Sequence, residues 1–122
     1  MKNIFIIDDD FTNNFIAEIL IKSVFPEIKL LAFTSPEQAL LTLSNINLAQ
    51  DDIILLDLNM PEMDGFQFIE KFNEKKLNCR VFILTTSLNP LDKELAESKT
   101  VVCGFILKPL TKERITSFNS LY

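Results

Sequence analysis

A chain of 122 residues has room for one domain with a single core, and its composition is that of an ordinary globular protein. With 48% hydrophobic and 24% charged residues and only 2 Gly, it is neither a disordered nor a fibrous chain. A net charge of -5 argues against direct nucleic-acid binding, and the absence of His removes His-ligated zinc, His acid–base catalysis and a phosphohistidine carrier.

Residues 4–7 form an apolar run that reads as a buried strand. It is far too short for a signal peptide or a membrane span, so the expectation is a soluble, cytoplasmic protein with no membrane partner. Asp8, Asp9 and Asp10 follow it. Phe15, Ile19, Leu20 and Ser23 then recur at the spacing of an amphipathic helix. Residues 28–32 make a second apolar run. Behind it, Ser35-Pro36-Glu37-Gln38 combines an N-cap, a Pro at the first helical position and a capping-box Gln.

A third run, residues 53–56, ends at Asp57. Phe66, Ile69 and Phe72 mark the next helix, with Glu70, Glu74, Lys75 and Lys76 read as its solvated face. Residues 81–84 form a fourth run that leads into Thr85-Thr86-Ser87, after which Asn89-Pro90 repeats the cap-and-Pro device. Residues 101–107 form the fifth run and lead into Lys108-Pro109. Thr111 can cap a last helix over residues 112–121. Cys79 and Cys103 fall in separate predicted strands without metal spacing, and read as two buried thiols rather than a disulfide.

Alternating strands and helices of this kind predict an α/β protein, a doubly wound parallel sheet with right-handed crossovers. Ligands of such sheets bind beyond the carboxyl ends of the strands. That is where Asp8, Asp9, Asp57, the hydroxyls of residues 85–87 and Lys108 fall. Each has an ordinary reading alone: acids cap helices, Thr favours strands, and Lys-Pro marks a loop. Together they do something more specific. Carboxylates crowded in a partly dry cleft repel unless a cation intervenes, and Mg²⁺ suits oxygen ligands. Carboxylate, hard cation, Lys and hydroxyl are the equipment of phosphoryl transfer.

The segment Asp57-Leu58-Asn59-Met60-Pro61-Glu62-Met63-Asp64-Gly65, with Asp8-Asp9, Thr85 and Lys108-Pro109, resembles the CheY-like receiver domains of two-component response regulators. The resemblance covers essentially the whole chain. It implies a flavodoxin-like (βα)5 fold with strand order 2-1-3-4-5, a receiver domain over residues 1–122, and no output domain. It further implies that Asp57 accepts a phosphoryl group from a sensor histidine kinase or phosphotransfer protein. Asp9, Asp57 and the Asn59 carbonyl would ligate Mg²⁺, with Asp8 acting mainly through water.

Lys108 would pair with the phosphoryl oxygens, and the Lys108–Pro109 bond would be cis. Thr85, with Thr86 as the alternative, would bond a phosphoryl oxygen, and Phe105 would be the aromatic switch. Asn59 and Ser87 occupy positions that tune hydrolysis of the aspartyl phosphate, and Asp10 is assigned to helix capping. Such a domain is a signalling phosphoacceptor, catalysing only its own phosphorylation and dephosphorylation. Its output would be contact with a protein target through the face made by the fourth helix, fifth strand and last helix, or dimerisation on phosphorylation.

Three rivals are weaker. The first run with Asp8, Asp10 and Thr12 also matches the signature of haloacid-dehalogenase-type phosphatases, with Asp8 as nucleophile. That family needs a further acidic pair after the Lys, where only Glu113 remains in a helix, and it leaves Asp57 unexplained. A pseudo-receiver acting as a phosphorylation-independent interaction module would not need the full set of chemical residues. A flavin-binding flavodoxin would need a Ser/Thr/Gly-rich loop after the first strand.

Overall fold

The computed structural model describes residues 3–119. Five strands alternate with five helices: β1 (Asn3–Ile7), α1 (Phe11–Val24), β2 (Lys29–Phe33), α2 (Pro36–Ser44), β3 (Ile53–Leu56), α3 (Gly65–Glu74), β4 (Arg80–Thr85), α4 (Pro90–Glu97), β5 (Val102–Leu107) and α5 (Lys112–Thr116). A 3-10 turn at Ser117–Asn119 follows α5, and the expected end of that helix near residue 121 lies outside the described residues. The strands form one sheet in the order β2-β1-β3-β4-β5, with every neighbouring pair parallel.

Successive residues of a strand point to opposite faces, so each central strand feeds two cores. Phe5, Ile7, Ile54, Leu56 and Ile83 pack with Leu40, Phe68 and Phe72 from α2 and α3. Ile4, Ile6, Ile53, Leu55 and Phe82 pack with Ala17, Ile21, Ile115 and Phe118 from α1 and the C-terminal turns. Fully burying a Phe or Ile contributes about 1.5–3 kcal/mol, and β1, β3 and β4 are buried along almost their whole length.

The helix signals operate as physics requires. Asp10 accepts the N–H groups of Thr12 and Asn13 at the start of α1. Ser35 accepts from Gln38, Asn89 from Leu91 and Thr111 from Arg114. A full reciprocal capping box closes at α3 between Asp64 and Gln67. Each such cap is worth about 1 kcal/mol. Lys75 and Lys76 end α3 rather than lie along its face; Lys76 takes the left-handed conformation, at φ 57, that turns the chain out of the helix.

Three expectations need correction. The stripe Phe15, Ile19 of α1 is solvent-facing, at 56% and 55% exposed, and the buried face is Asn14, Ala17 and Ile21. The strands are not all covered on both sides: β2 and β5 are sheet edges, and most of their residues are exposed or half-buried. Cys103 on β5 is consequently exposed, whereas Cys79 is buried and its thiol is pushed up to about 12, chiefly by desolvation.

Candidate functional site

The parallel ladder runs one residue beyond the strands at their carboxyl ends. Asp8 donates its N–H to the Phe33 carbonyl (3.1 Å), Asp57 to Ile7 (3.0 Å) and Lys108 to Thr85 (2.8 Å). These three bonds fix side chains from three different loops at one end of the sheet. One carboxylate oxygen from each of Asp8, Asp9 and Asp57 lies within 4.8 Å of the others. Asp8 and Asp57 are buried, and Asp9 is exposed at the rim.

Lys108 enters this acidic cluster from β5. Its Nζ donates to Asp8 Oδ2 at 2.7 Å and stands 3.8 Å from Asp57 Oδ2. The second Asp8 oxygen accepts the Asp10 N–H at 2.9 Å. Asp57 Oδ1 receives only a long contact, 3.4 Å, from the Asn59 N–H. Each Asp8 oxygen thus holds one close donor, while among the described residues Asp57 has only longer contacts.

Burial raises the Asp57 carboxyl above its ordinary value. The nearby Lys108 ammonium opposes that shift, Asp8 adds to it, the Asn59 N–H opposes it, and Asp9 adds to it more weakly. Three carboxyl groups close to the Lys108 ammonium crowd negative charge wherever they ionise together, and a hard cation on oxygen ligands would offset it. The donor set therefore fits Mg²⁺. Asp9 and Asp57 offer free carboxylate oxygen, with Asn59 exposed beside them.

The loop after Asp57 is anchored by Leu58, Met60 and Met63, all buried. Gly65 closes it, donating its N–H to the Leu58 carbonyl at 2.9 Å. A Cβ at Gly65 would lie 2.9 Å from the Asp57 carbonyl oxygen and 3.0 Å from Leu58 Cα, so only Gly permits this approach.

Of the two candidate hydroxyls, Thr85 is fully buried at the end of β4, and Thr86 is exposed. Phe105, on β5 opposite Ile83, is half-buried against the core on the α2–α4 side. The Lys108–Pro109 peptide is cis. Beside the cluster, a groove of about 340 Å³ runs between α1 and the segment after β5, with Ile16, Leu20 and Leu110 on its walls and Asp8 and Lys108 at one side.

Asn14 supports the site without having been singled out by its sequence. It is buried, and its Nδ2 donates to the Asp8 carbonyl at 3.0 Å and the Phe33 carbonyl at 3.3 Å, tying together the loops after β1 and β2. Its register with Ala17 and Ile21 (i, i+3, i+7) is the signal that marks it.

Comparison with known proteins agrees with this geometry. The family model of the response regulator receiver domain matches residues 4–118. The two-component response regulator ARR22 of Arabidopsis thaliana is 30% identical over 93% of this chain and 78% of its own length. The nitrate/nitrite response regulator protein NarL of Escherichia coli is 37% identical over 51% of this chain, a match that spans 28% of NarL. Among solved structures, a two component response regulator from Cytophaga hutchinsonii superposes with a TM-score of 0.86 at 27% identity, covering 99% of this chain and 96% of the other. The phosphatase, flavodoxin and interaction-module readings draw no support from these similarities.

Proposed function

Since the chain belongs to the family of response regulator receiver domains, we propose that Asp57 is its phosphoacceptor and that the phosphoryl group switches its contacts with other proteins. The observation that carries this reading is the imbalance at Asp57. It is a buried carboxylate with only a long hydrogen bond, 3.8 Å from the Lys108 ammonium, the one that reaches it among the described residues.

Transfer from a phosphohistidine forms a bond between an Asp57 oxygen and phosphorus as the donor's P–N bond breaks, its electron pair leaving with the imidazole. Mg²⁺, held by Asp9, Asp57 and the Asn59 carbonyl and reached by Asp8 through water, would neutralise charge on the phosphoryl oxygens. Each Asp8 oxygen already holds a donor, which favours an indirect role. Lys108 follows the charge: it is bonded to Asp8 at rest and close enough to Asp57 to meet an incoming phosphoryl oxygen. Thr85 supplies the hydroxyl to that group. Its burial beside the site favours it over Thr86, whose side chain faces the groove. Phe105 then repacks as Thr85 moves.

Receiver domains interact with histidine kinases or phosphotransfer proteins, and the donor here is such a protein, seated along the groove beside α1. The output face is that of α4, β5 and α5. Leu91 on α4 and Leu107 on β5 are 68% and 46% exposed, apolar side chains that a protein partner or a second copy could cover. No described helix is long and apolar enough to cross a membrane. The domain acts as a signalling acceptor, catalysing only its own phosphorylation and dephosphorylation.

Acetyl phosphate with Mg²⁺ is expected to add one labile phosphoryl group, located by chemical trapping and peptide mapping at Asp57. Label on Asp8 instead would overturn the assignment. Asp57→Ala should abolish labelling, and Lys108→Ala should permit labelling while uncoupling it from partner binding.

A further inference from the structure

The Thr85 hydroxyl is already engaged. Its Oγ1 accepts the Ser87 N–H at 3.1 Å, and among the described residues no hydrogen bond joins it to Asp57. Ser87 is itself held: its Oγ donates to Asp92 Oδ2 at 2.5 Å and accepts the Asn89 N–H at 3.3 Å. Asn89 caps α4, and Asp92 lies in the first turn of that helix. A continuous chain of bonds therefore runs from the end of β4 to α4, and its shortest link is charge-assisted.

We propose that Asp92 is a positioning residue that, through Ser87, latches the loop between β4 and α4 and holds the Thr85 hydroxyl away from the phosphoacceptor. Swinging the Thr85 side chain toward a phosphoryl oxygen draws its Oγ1 off the Ser87 N–H, and the tie from Ser87 to Asp92 resists the movement of that amide with it. The latch thus sets the balance between the resting form and the form with Thr85 at the phosphoryl group. A weaker latch makes the second form more accessible, and a ligand that selects this form binds correspondingly better. The inference rests on the reading of Asp57 as acceptor and Thr85 as the responding hydroxyl.

Asp92→Ala and Ser87→Ala are each expected to raise the affinity for beryllofluoride, a phosphoryl mimic, and the rate of labelling by acetyl phosphate by about three- to tenfold. The double variant should gain no more than either single one, because both cut the same link. Asp92→Asn keeps an oxygen for the Ser87 hydroxyl but gives up the charge assistance, so it should fall between wild type and Asp92→Ala. The gain should vanish when Thr85→Ala is added to Asp92→Ala. An Asp92→Asn protein that behaves like Asp92→Ala would overturn the latch in favour of a helix-charge effect. Equal binding and labelling in the wild type, Asp92→Ala and Ser87→Ala would overturn it outright. Circular dichroism on every variant establishes that it is folded. Wild-type protein that takes no label at Asp57 would instead refute the underlying functional reading, so the two failures are distinct.

Discussion

A carboxylate that is to attack phosphorus must be ionised, yet the place that shields it from water discourages ionisation. Asp57, the proposed phosphoacceptor, shows this conflict. Burial pushes its carboxyl upward, and Asp8 and Asp9 push in the same direction against Lys108 and the Asn59 N–H. In the folded chain Asp57 therefore keeps its proton to a higher pH than in the unfolded chain, where 3.8 is the reference. Above the folded value the ionised group destabilises the fold by its full amount; below 3.8 both states are protonated and the effect is gone. Asp57→Asn should accordingly be more stable than wild type at pH 7 in metal-free buffer, by on the order of 1 kcal/mol or a few degrees in Tm. The gain should shrink as the pH is lowered toward 3.8. Thermal denaturation with a chelator at several pH values checks this, and a gain that does not vary with pH would assign the effect to something other than charge.

At the level of whole elements, the difference between pattern and burial is sharpest in α1. Eight of its residues are apolar (Phe11, Phe15, Ile16, Ala17, Ile19, Leu20, Ile21 and Val24), and these cover most of its circumference. Periodicity then indicates a helix but not which side of it faces the sheet. The buried side is the one with the small Ala17 and the polar Asn14, because helix and sheet must approach closely and the loop carbonyls of Asp8 and Phe33 need donors. Central strands were legible because both of their faces are covered, giving unbroken apolar runs; β2 and β5 have similar composition but lie at the edges, where a run of the same kind is half in water. The site was legible because Asp8, Asp57 and Lys108 each follow a strand directly, so topology alone brings them together. The Ser87–Asp92 link was not, since a bond from loop to helix depends on side-chain rotamers that no spacing encodes. The two sides of α1 make separable predictions. Ile21→Ala should cost about 2–5 kcal/mol through loss of burial and the cavity left behind. Ile19→Ala should stay within about 0.5 kcal/mol, since its side chain is already in water. Urea denaturation of both would check the assignment, and equal losses would contradict the buried face described here.

Across the whole molecule, the two ends of the sheet carry opposite assignments. At the amino ends of the strands, Asp52 is fully buried and accepts bonds from the Asn3 N–H, the Asn3 amide and the Ala49 N–H, while Arg80 bonds the carbonyls of Asp51 and Phe118. Charged side chains there are hydrogen-bonded within the protein and tie loops to the core. At the carboxyl ends the acids outnumber the ammonium that meets them, so that end has binding capacity in reserve. A ligand that binds only the folded state raises stability by RT ln(1 + [L]/Kd), about 2.7 kcal/mol at a hundredfold excess over Kd. Mg²⁺ should therefore raise the Tm of the wild-type protein in a concentration-dependent way. Asp9→Asn, which removes the exposed carboxylate from the cluster, should weaken that dependence by tenfold or more in apparent Kd, whereas removing the Asp52 carboxylate should lower the starting Tm but leave the Mg²⁺ response intact. The response should also fade as the pH falls through the raised Asp57 value, because the proton then competes with the cation for the same oxygens. Thermal melts over a Mg²⁺ series at two pH values measure all three. A Tm that rises equally in wild type and Asp9→Asn would mean that the cation acts elsewhere on this acidic protein and not at the cluster around Asp57.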